Sequence, residues 1–250
     1  MIRLQSKKNK VALVTGSVRR LGKSIATSLA NSGYDIALHF NNSSLTALDD
    51  TVSKIERIGV RVLPIKADIS NPEQIKFLFN VIRQEFKTLD VLVNNAAIYK
   101  SVDLLKINEK MFDEFINTNL KSVLFCSIEA SKIMLKSKNK IGKIINIASL
   151  GGIMNWQNSI PYSLSKVGVI KLTQLLAKRL APNILVNAIA PGTIWIEDDK
   201  NDTVELKEKS KYPLKRFASE MDITSVVNYL AEKNEYITGQ IITVDGGRSL

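Results

Sequence analysis

The sequence predicts an α/β fold: one doubly wound, mostly seven-stranded parallel sheet with helices on both faces. Short runs rich in valine, isoleucine and leucine alternate with helical patterns along the chain, as in parallel sheets that are covered on both sides. No internal repeat, low-complexity tract or linker rich in proline and glycine divides the 250 residues. Because α/β chains of this length often fold as one unit, we expect a single domain over residues 1–250.

The amino-terminal part of the chain predicts three strands, each followed by a helix. The strands are expected at 11–14, 35–40 and 60–65, and the helices at about 23–31, 45–58 and 71–86. Gly33 and Gly59 follow the first two helices, where glycine commonly ends a helix. The third helix has a clear start, because Asn71 can cap it, Pro72 suits its first turn and Glu73 suits its positive end.

The remaining chain predicts four more buried strands and two long helices. The strands are expected at 91–93, 144–147, 184–189 and 241–244, and the helices at about 108–137 and 161–180. Residues 195–211 are polar and charged and match no core element. We interpret 193–212 as a surface segment, helical in part, that forms a substrate-side lid at the mouth of the fold.

Composition excludes several classes of protein. The longest apolar runs, such as 144–148, are too short to span a bilayer, and the amino terminus has no stretch of secretory-signal length. One cysteine and one histidine exclude an intramolecular disulfide and a Cys/His zinc site. We therefore expect a cytoplasmic protein with no metal. The net charge of +11 favours anionic partners, but the basic stretches lack interleaved aromatics, so an anionic cofactor is favoured over nucleic acid.

A glycine-containing turn joins the first strand to the first helix. It reads Thr-Gly-Ser-Val-Arg-Arg-Leu-Gly over residues 15–22. Glycine allows the backbone to turn tightly beside a pyrophosphate, and the helix start offers free N–H groups and a positive dipole. Strand, glycine turn and helix in this order indicate a dinucleotide site that includes Gly16 and Leu21.

The end of the second strand indicates which dinucleotide binds. An NAD enzyme usually has an acid there for the ribose 2′-hydroxyl. This chain has Asn41, Asn42 and Ser43 instead, with Arg19 and Arg20 in the neighbouring turn. Amides and a hydroxyl can donate to a 2′-phosphate and arginines can neutralise it, so we predict NADP(H).

Four polar residues predict the catalytic chemistry. Tyr162 and Lys166 are four apart on a predicted helix and therefore share a face. A nearby ammonium favours the phenolate, so such a tyrosine can exchange a proton with an alkoxide near neutral pH. Ser149 follows a predicted strand, where its hydroxyl can polarise a carbonyl. Asn119, in an apolar helix, can anchor a water that feeds protons to Lys166.

In this order, the motifs resemble those of the short-chain dehydrogenase/reductase superfamily over essentially the whole chain. The matching segments are Thr15-Gly16 to Gly22, Ala67-Asp68-Ile69, Asn94-Asn95-Ala96-Ala97, Asn119, Ser149, Tyr162 with Lys166, Pro191-Gly192, 236–240 and Asp245-Gly246-Gly247. In the family, the segment at the place of Ala67-Asp68-Ile69 contacts the adenine of the cofactor.

The resemblance implies a Rossmann-like fold, a homotetramer and a role for each matched residue. Tyr162 is implied as general acid/base, Lys166 as the ligand of the nicotinamide ribose that lowers the tyrosine pKa, and Ser149 as the group that orients the carbonyl. Asn119 is implied to hold the relay water. The implied cofactor contacts are Gly16, Arg19, Arg20, Leu21, Asn41, Asn42, Ser43, Asp68, Ile69, Asn95, Ala96, Ala97, Tyr162, Lys166, Pro191, Gly192 and Ile194.

Three positions depart from the family pattern. Arg20 replaces a glycine of the phosphate turn, and Ala97 replaces the last glycine of Asn-Asn-Ala-Gly. Ile196 stands where many members have a threonine that bonds the nicotinamide amide, so that contact is not implied here.

The substrate signals divide between a ketone and a pterin. The turn at 20–22, the strand end at 38–40 and the segment 180–182 are similar to pteridine and dihydromonapterin reductases, in which an aromatic at the place of Tyr99 stacks on the pterin. Those enzymes carry an aspartate where this chain has Ser149, the ordinary residue for ketone reduction, as in 3-oxoacyl carrier-protein reductases. Those reductases have a basic residue before Gly-Ile-x-Val-Asn, and here residues 182–187 lack both that basic residue and the glycine.

We therefore predict an NADPH-dependent reductase of a small ketone-type substrate, with Tyr99 and Trp195 as candidate substrate contacts. Reduction of a dihydropterin C=N bond is the alternative. More distant alternatives are a non-catalytic NADP-binding protein, which the complete set of four polar residues disfavours, and a nucleic-acid-binding protein, which only the charge supports.

Overall fold

One parallel sheet of seven strands runs through the described part of the chain, in the order β3-β2-β1-β4-β5-β6-β7. The computed structural model describes residues 9–137, 140–195 and 208–250. The strands are β1 Val11–Val14, β2 Asp35–Phe40, β3 Val62–Lys66, β4 Val91–Asn94, β5 Gly142–Ile147, β6 Ile184–Pro191 and β7 Ile241–Val244. The order reverses between β1 and β4, and in such sheets ligands bind beyond the carboxyl ends of the strands at this reversal. The fold class predicted from the sequence is confirmed.

Helices cover both faces of the sheet. Those that the structure describes are α1 Arg20–Asn31, α2 Leu45–Glu56, α3 Pro72–Glu85, α4 Glu109–Ile116, α5 Ser122–Met134, α6 Ile160–Leu180 and α7 Glu220–Asn228. In β1, Ala12 and Val14 are buried with α1, α2 and α7, whereas Val11 and Leu13 are buried with α3 and α5. This alternation explains why β1 is apolar at every position: both of its faces lie in the core.

Two helical features differ from the expectation. The single helix predicted at 108–137 is divided by a π-helical turn, Asn117–Lys121, which separates α4 from α5. Hydrophobic periodicity does not signal such a turn, and π-helical turns occur frequently at functional sites. Helix α7 has no counterpart among the predicted elements, although Ser219 and Asp222 form a capping box at its start, a pattern that sequence alone can reveal.

The lid predicted at 193–212 is only partly visible, because residues 196–207, including Ile196, lie outside the described residues. Within the described ranges, no helix is both long enough and apolar enough to cross a bilayer.

Candidate active site

The loops that follow β1 and β4 are tied together at the reversal of the sheet. The Thr15 hydroxyl accepts hydrogen bonds from the backbone N–H groups of Asn95 and Ala96, at 2.9 and 3.0 Å. The Asn95 amide donates to the carbonyl oxygens of Thr15 and Gly16, at 2.9 and 3.2 Å. The start of the glycine turn is therefore held against the loop after β4 by side-chain hydrogen bonds from both loops, and the sequence analysis missed the part that Thr15 plays in this.

The turn fits a bound pyrophosphate. Gly16 has a φ of +64°, which favours glycine, and a Cβ at Gly22 would lie 2.0 Å from the Gly16 carbonyl oxygen. Glycine at position 22 thus lets α1 start directly against the turn. No side chain caps the described start of α1 and its first turn has no acid, so its N–H groups and positive dipole suit an anion.

Arg20 has an unusual backbone conformation. Its φ is +51°, in the left-handed region that glycine adopts most easily. This explains why the family pattern has glycine there. Arg19 and Arg20 are both exposed beside the turn, where two guanidinium groups raise the local positive potential.

The segments after β2 and β3 complete the same edge of the sheet. Asn41 and Ser43 are half-buried and Asn42 is exposed, and no carboxylate lies between residues 39 and 43. After β3, the Asp68 carboxylate accepts hydrogen bonds from the Ser70 N–H and hydroxyl, at 2.9 and 2.8 Å. The predicted 2′-phosphate and adenine segments therefore lie beyond neighbouring strands, beside the glycine turn.

Ser149 and Tyr162 meet beyond the carboxyl end of β5. Ser149 caps the short turn Leu150–Gly152, where its hydroxyl oxygen accepts from the Gly151 N–H at 3.0 Å. Tyr162 lies in the first turn of α6, and its ring lies against Gly151, where a Cβ would be 3.3 Å from Tyr162 Cε1. Its phenol is near enough to the Ser149 side chain for Ser149 to lower the pKa of Tyr162. Two hydroxyl groups thus lie near each other, where a single oxygen of a ligand could accept a hydrogen bond from both.

Lys166 lies one helical turn after Tyr162 and is buried. Its ammonium donates to the Ile147 carbonyl oxygen at 2.7 Å and lies 5.8 Å from the centre of the Tyr162 ring. Burial lowers the pKa of Lys166 to about 8, because an ammonium removed from water loses hydration. The group is still mostly charged at pH 7.

The acidity expected for Tyr162 is not found in this arrangement. The sequence analysis expected Lys166 to lower the tyrosine pKa, but burial raises it, and the nearby Ser149 side chain opposes this only in part. The physical reason is distance: the ammonium is bound to the main chain of β5 rather than to the phenol. The phenol is therefore protonated at neutral pH and has a proton to donate, although the raised pKa makes it a weaker acid than a free tyrosine.

Asn119 lies in the π-helical turn and is fully buried. Its amide accepts from the Ile98 N–H at 2.8 Å and donates to the Ile98 carbonyl at 3.0 Å and to the Ser165 hydroxyl at 3.1 Å. The side chain therefore fixes the chain that follows β4 against α6. A water held between Asn119 and Lys166 stays a prediction.

The two candidate substrate contacts lie in different surroundings. The ring of Tyr99 meets that of Tyr162 edge to face, with centres 5.0 Å apart, yet Tyr99 is 60% exposed. The ring contact of Trp195 is a stack on Phe217, with centres 6.0 Å apart. The structure therefore brings Tyr99, and not Trp195, to the tyrosine of the site.

The strand end at Pro191 leads into the last predicted cofactor segment. The Gly192 N–H donates to the Val244 carbonyl at 3.0 Å, and a Cβ at Gly192 would lie 3.1 Å from the Asp245 backbone. Ile194 then pairs with Ala218 in an isolated bridge. These contacts hold the turn after β6 against the end of β7.

A buried polar network behind the site was missed from sequence. The Asn94 amide donates to Asn146 at 2.9 Å, and Asn146 donates to the Thr173 hydroxyl, also at 2.9 Å. The three residues join β4, β5 and α6 beneath Tyr162 and Lys166. The available signal was a polar residue within otherwise apolar strands, because buried polar groups are usually paired with each other.

Comparisons with known proteins agree with this geometry. A family model described as enoyl-(acyl carrier protein) reductase matches residues 16–249. The chain is 40% identical over 247 residues to the 3-oxoacyl-[acyl-carrier-protein] reductase FabG of Staphylococcus aureus (strain N315), covering 96% of this chain and 98% of that protein. It is 36% identical over 241 residues to the 3-oxoacyl-[acyl-carrier-protein] reductase of Synechocystis sp., covering 95% and 96%.

A solved structure of a short-chain dehydrogenase/reductase is also similar to this chain. The short-chain dehydrogenase/reductase from Serratia marcescens BCRC 10948 is similar with a TM-score of 0.90 and 29% identity, over 97% of this chain and 99% of that one. Because the family model, relatives of equal length and this structure agree, the chain belongs to the short-chain dehydrogenase/reductase superfamily and is an oxidoreductase.

Proposed function

We propose that the protein is an NADPH-dependent reductase that converts the ketone of a 3-oxoacyl thioester to an alcohol. The observation that carries the proposal is the convergence of the Ser149 and Tyr162 hydroxyls beyond β5. Two donors aimed at one point suit a carbonyl oxygen on which negative charge develops. The relatives, which are named as 3-oxoacyl reductases, support the same substrate class.

In this proposal each residue of the site has a distinct task. The nicotinamide supplies a hydride when it is bound. Tyr162, whose raised pKa keeps it protonated, donates its proton to the substrate oxygen. Ser149 accepts from the Gly151 N–H, which leaves its own proton for the same oxygen. Lys166 holds the nicotinamide ribose and returns a proton to Tyr162 through the water that Asn119 is proposed to anchor.

The alternatives fit this arrangement less well. In the reduction of an enoyl thioester, the hydride goes to the β-carbon and charge develops on the more distant thioester oxygen, whereas in a ketone the oxygen that takes the charge is on the carbon that takes the hydride. A dihydropterin C=N bond needs one proton donor, which leaves Ser149 without a task. The relatives do not favour the pterin either, so it stays the second candidate only because Tyr99 contacts Tyr162.

We also propose the finer properties predicted from the sequence: one domain over residues 1–250 with a substrate-side segment at 193–212, a cytoplasmic location, and a homotetramer. The tetramer is supported by apolar side chains on the outer faces of α4, α5 and α6. Their exposed fractions are 38% for Phe112, 37% for Ile128, 49% for Leu164, 49% for Val167 and 57% for Leu175.

The proposed cofactor preference predicts that NADPH binds at least about tenfold more tightly than NADH, a difference of about 1.4 kcal/mol. The reason is the positive turn at Arg19 and Arg20 beside a strand end without a carboxylate. Asn41→Asp should weaken NADPH far more than NADH, because the new charge repels only the 2′-phosphate. The matched control Asn183→Asp, at the exposed residue before β6 on the opposite edge of the sheet, should change neither value much. Equal affinities in fluorescence titrations of the wild type would refute the preference.

The lowered pKa of Lys166 predicts an alkaline limit to activity. The side chain is charged below its pKa of about 8 and neutral above it, so kcat/KM for NADPH should fall as the pH rises through about 8. This ratio reports groups of the free enzyme. Arginine stays charged to much higher pH, so in Lys166→Arg the residual activity should lose this limb. A wild-type profile flat to pH 10 would contradict the assignment.

The chemical outcome tests the proposal directly. With NADPH deuterated at the transferable position and a short 3-oxoacyl thioester, mass spectrometry should find one deuterium in the 3-hydroxyacyl product. A saturated or unsaturated acyl product would assign the protein to a different reduction.

A further inference from the structure

The single histidine of the chain, His39, lies near the carboxyl end of β2 and is 2% exposed. Its Nδ1 atom accepts a hydrogen bond from the Gly16 N–H at 3.0 Å, and its Nε2 atom lies 3.0 Å from the Ala67 carbonyl oxygen. Its own carbonyl oxygen accepts from the Ser17 N–H and hydroxyl, at 3.0 and 3.2 Å. Both ring nitrogens are therefore used by the main chain of other loops.

These two hydrogen bonds allow only one protonation state of the His39 ring. A backbone N–H can only donate, so Nδ1 must be unprotonated, and a carbonyl can only accept, so Nε2 must carry the hydrogen. A positively charged ring would direct an N–H group at the N–H of Gly16. Burial lowers the pKa of His39 to about 4, although Ala67 and Asp68 favour the charged form. Geometry and solvation thus agree on a neutral ring.

The groups that His39 joins belong to three loops of one predicted subsite. Gly16 is in the glycine turn after β1, Ala67 precedes the adenine segment after β3, and His39 itself leads into the 2′-phosphate loop at Asn41. We propose that His39 is a positioning residue that sets the spacing of these loops for the adenosine half of the dinucleotide. This inference rests on the proposed use of NADP(H).

The first test is spectroscopic and needs no cofactor. Because the sequence holds one histidine, a ¹⁵N correlation spectrum of the untagged protein contains a single imidazole. At pH 7 we expect an unprotonated Nδ1 and a protonated Nε2. The opposite tautomer, or a charged ring, would overturn the inference, whatever the enzyme reduces.

The second test separates the two bonds by substitution. Asparagine can retain an acceptor near the Nδ1 position and glutamine a donor near the Nε2 position, whereas leucine retains neither. We expect His39→Leu to raise the dissociation constant of NADPH by on the order of tenfold or more, because the turn of the free protein would move to hydrate the Gly16 N–H and binding would have to reverse this movement. At saturating NADPH, kcat should stay within about twofold. His39→Asn should recover most of the affinity, and His39→Gln less.

Comparing the melting temperature with the NADPH dissociation constant of each variant tests whether the role of His39 is merely structural. A melting temperature that falls in all three variants, with no change in the dissociation constant of the folded protein, would overturn the inference. If His39→Leu does not fold, the asparagine and glutamine variants decide, since equal affinities in these two would also overturn it. Titrating NADPH and NADH in parallel keeps the question of cofactor identity separate: a wild type that prefers NADH refutes the proposed cofactor, and the variants are then judged on NADH.

Discussion

Replacing Tyr162 with phenylalanine should lower kcat by about 10²–10⁴-fold while NADPH binding stays nearly intact. The substitution removes the only group that is proposed to transfer a proton to the substrate. General acid–base catalysis typically contributes a rate factor of this size. The ring that contacts Tyr99 with centres 5.0 Å apart is kept, so the local packing should survive. Single-turnover rates at saturating NADPH, together with a fluorescence titration of the cofactor, measure both quantities.

A matched control is available in the same chain. Tyr236 is 98% exposed, so Tyr236→Phe removes a phenolic hydroxyl that has no place in the site, and it should leave kcat unchanged. If Tyr162→Phe kept most of its activity on the best substrate, the proton donor would have to be another group.

Ser149→Ala should be the second severe change, lowering kcat by about 10²–10³-fold. Two donors, Ser149 and Tyr162, are proposed to stabilise charge on the substrate oxygen, and loss of one such donor typically has this effect. The substitution also removes the acceptor of the Gly151 N–H. Ser149→Thr, which keeps a hydroxyl, is the control for that loss and should retain more activity than Ser149→Ala.

The same experiment separates a ketone from a pterin when Tyr99 is included. A flat pterin ring would stack on Tyr99, and such a stack adds about 0.5–1.5 kcal/mol beyond the buried area. Tyr99→Ala would then raise KM several-fold, whereas Tyr99→Phe would be mild. For a ketone we expect Tyr99→Ala to be modest and Ser149→Ala severe. The reverse order of severity would indicate the pterin.

The strands could be predicted from sequence because their signal is local. β1, β2 and β7 have the bounds that the sequence predicts. Helix boundaries that are set by capping and backbone geometry were harder to predict from the sequence. α1 begins at Arg20 rather than near residue 23, and no side-chain pattern predicts the left-handed conformation that Arg20 adopts there.

The candidate site was predictable in its residues but not in its contacts. Motif order identifies Tyr162, Lys166 and Ser149, and the structure brings them together beyond β5. The order of the motifs does not reveal that the Lys166 ammonium binds the Ile147 carbonyl, because this contact depends on how α6 packs against the strand. Nor does it reveal that His39 spans two loops, because this requires the register of three strands.

Steady-state reduction by NADPH, measured on matched substrates, tests the central claim most directly. The substrates are a 3-oxoacyl thioester, a simple diketone and a dihydropterin, each assayed with NADPH and with NADH at equal concentrations. The account predicts that kcat/KM is highest for the 3-oxoacyl thioester with NADPH, and that Tyr162→Phe abolishes most of this activity. Turnover of the dihydropterin without turnover of the thioester, or equal rates with both cofactors, would contradict it.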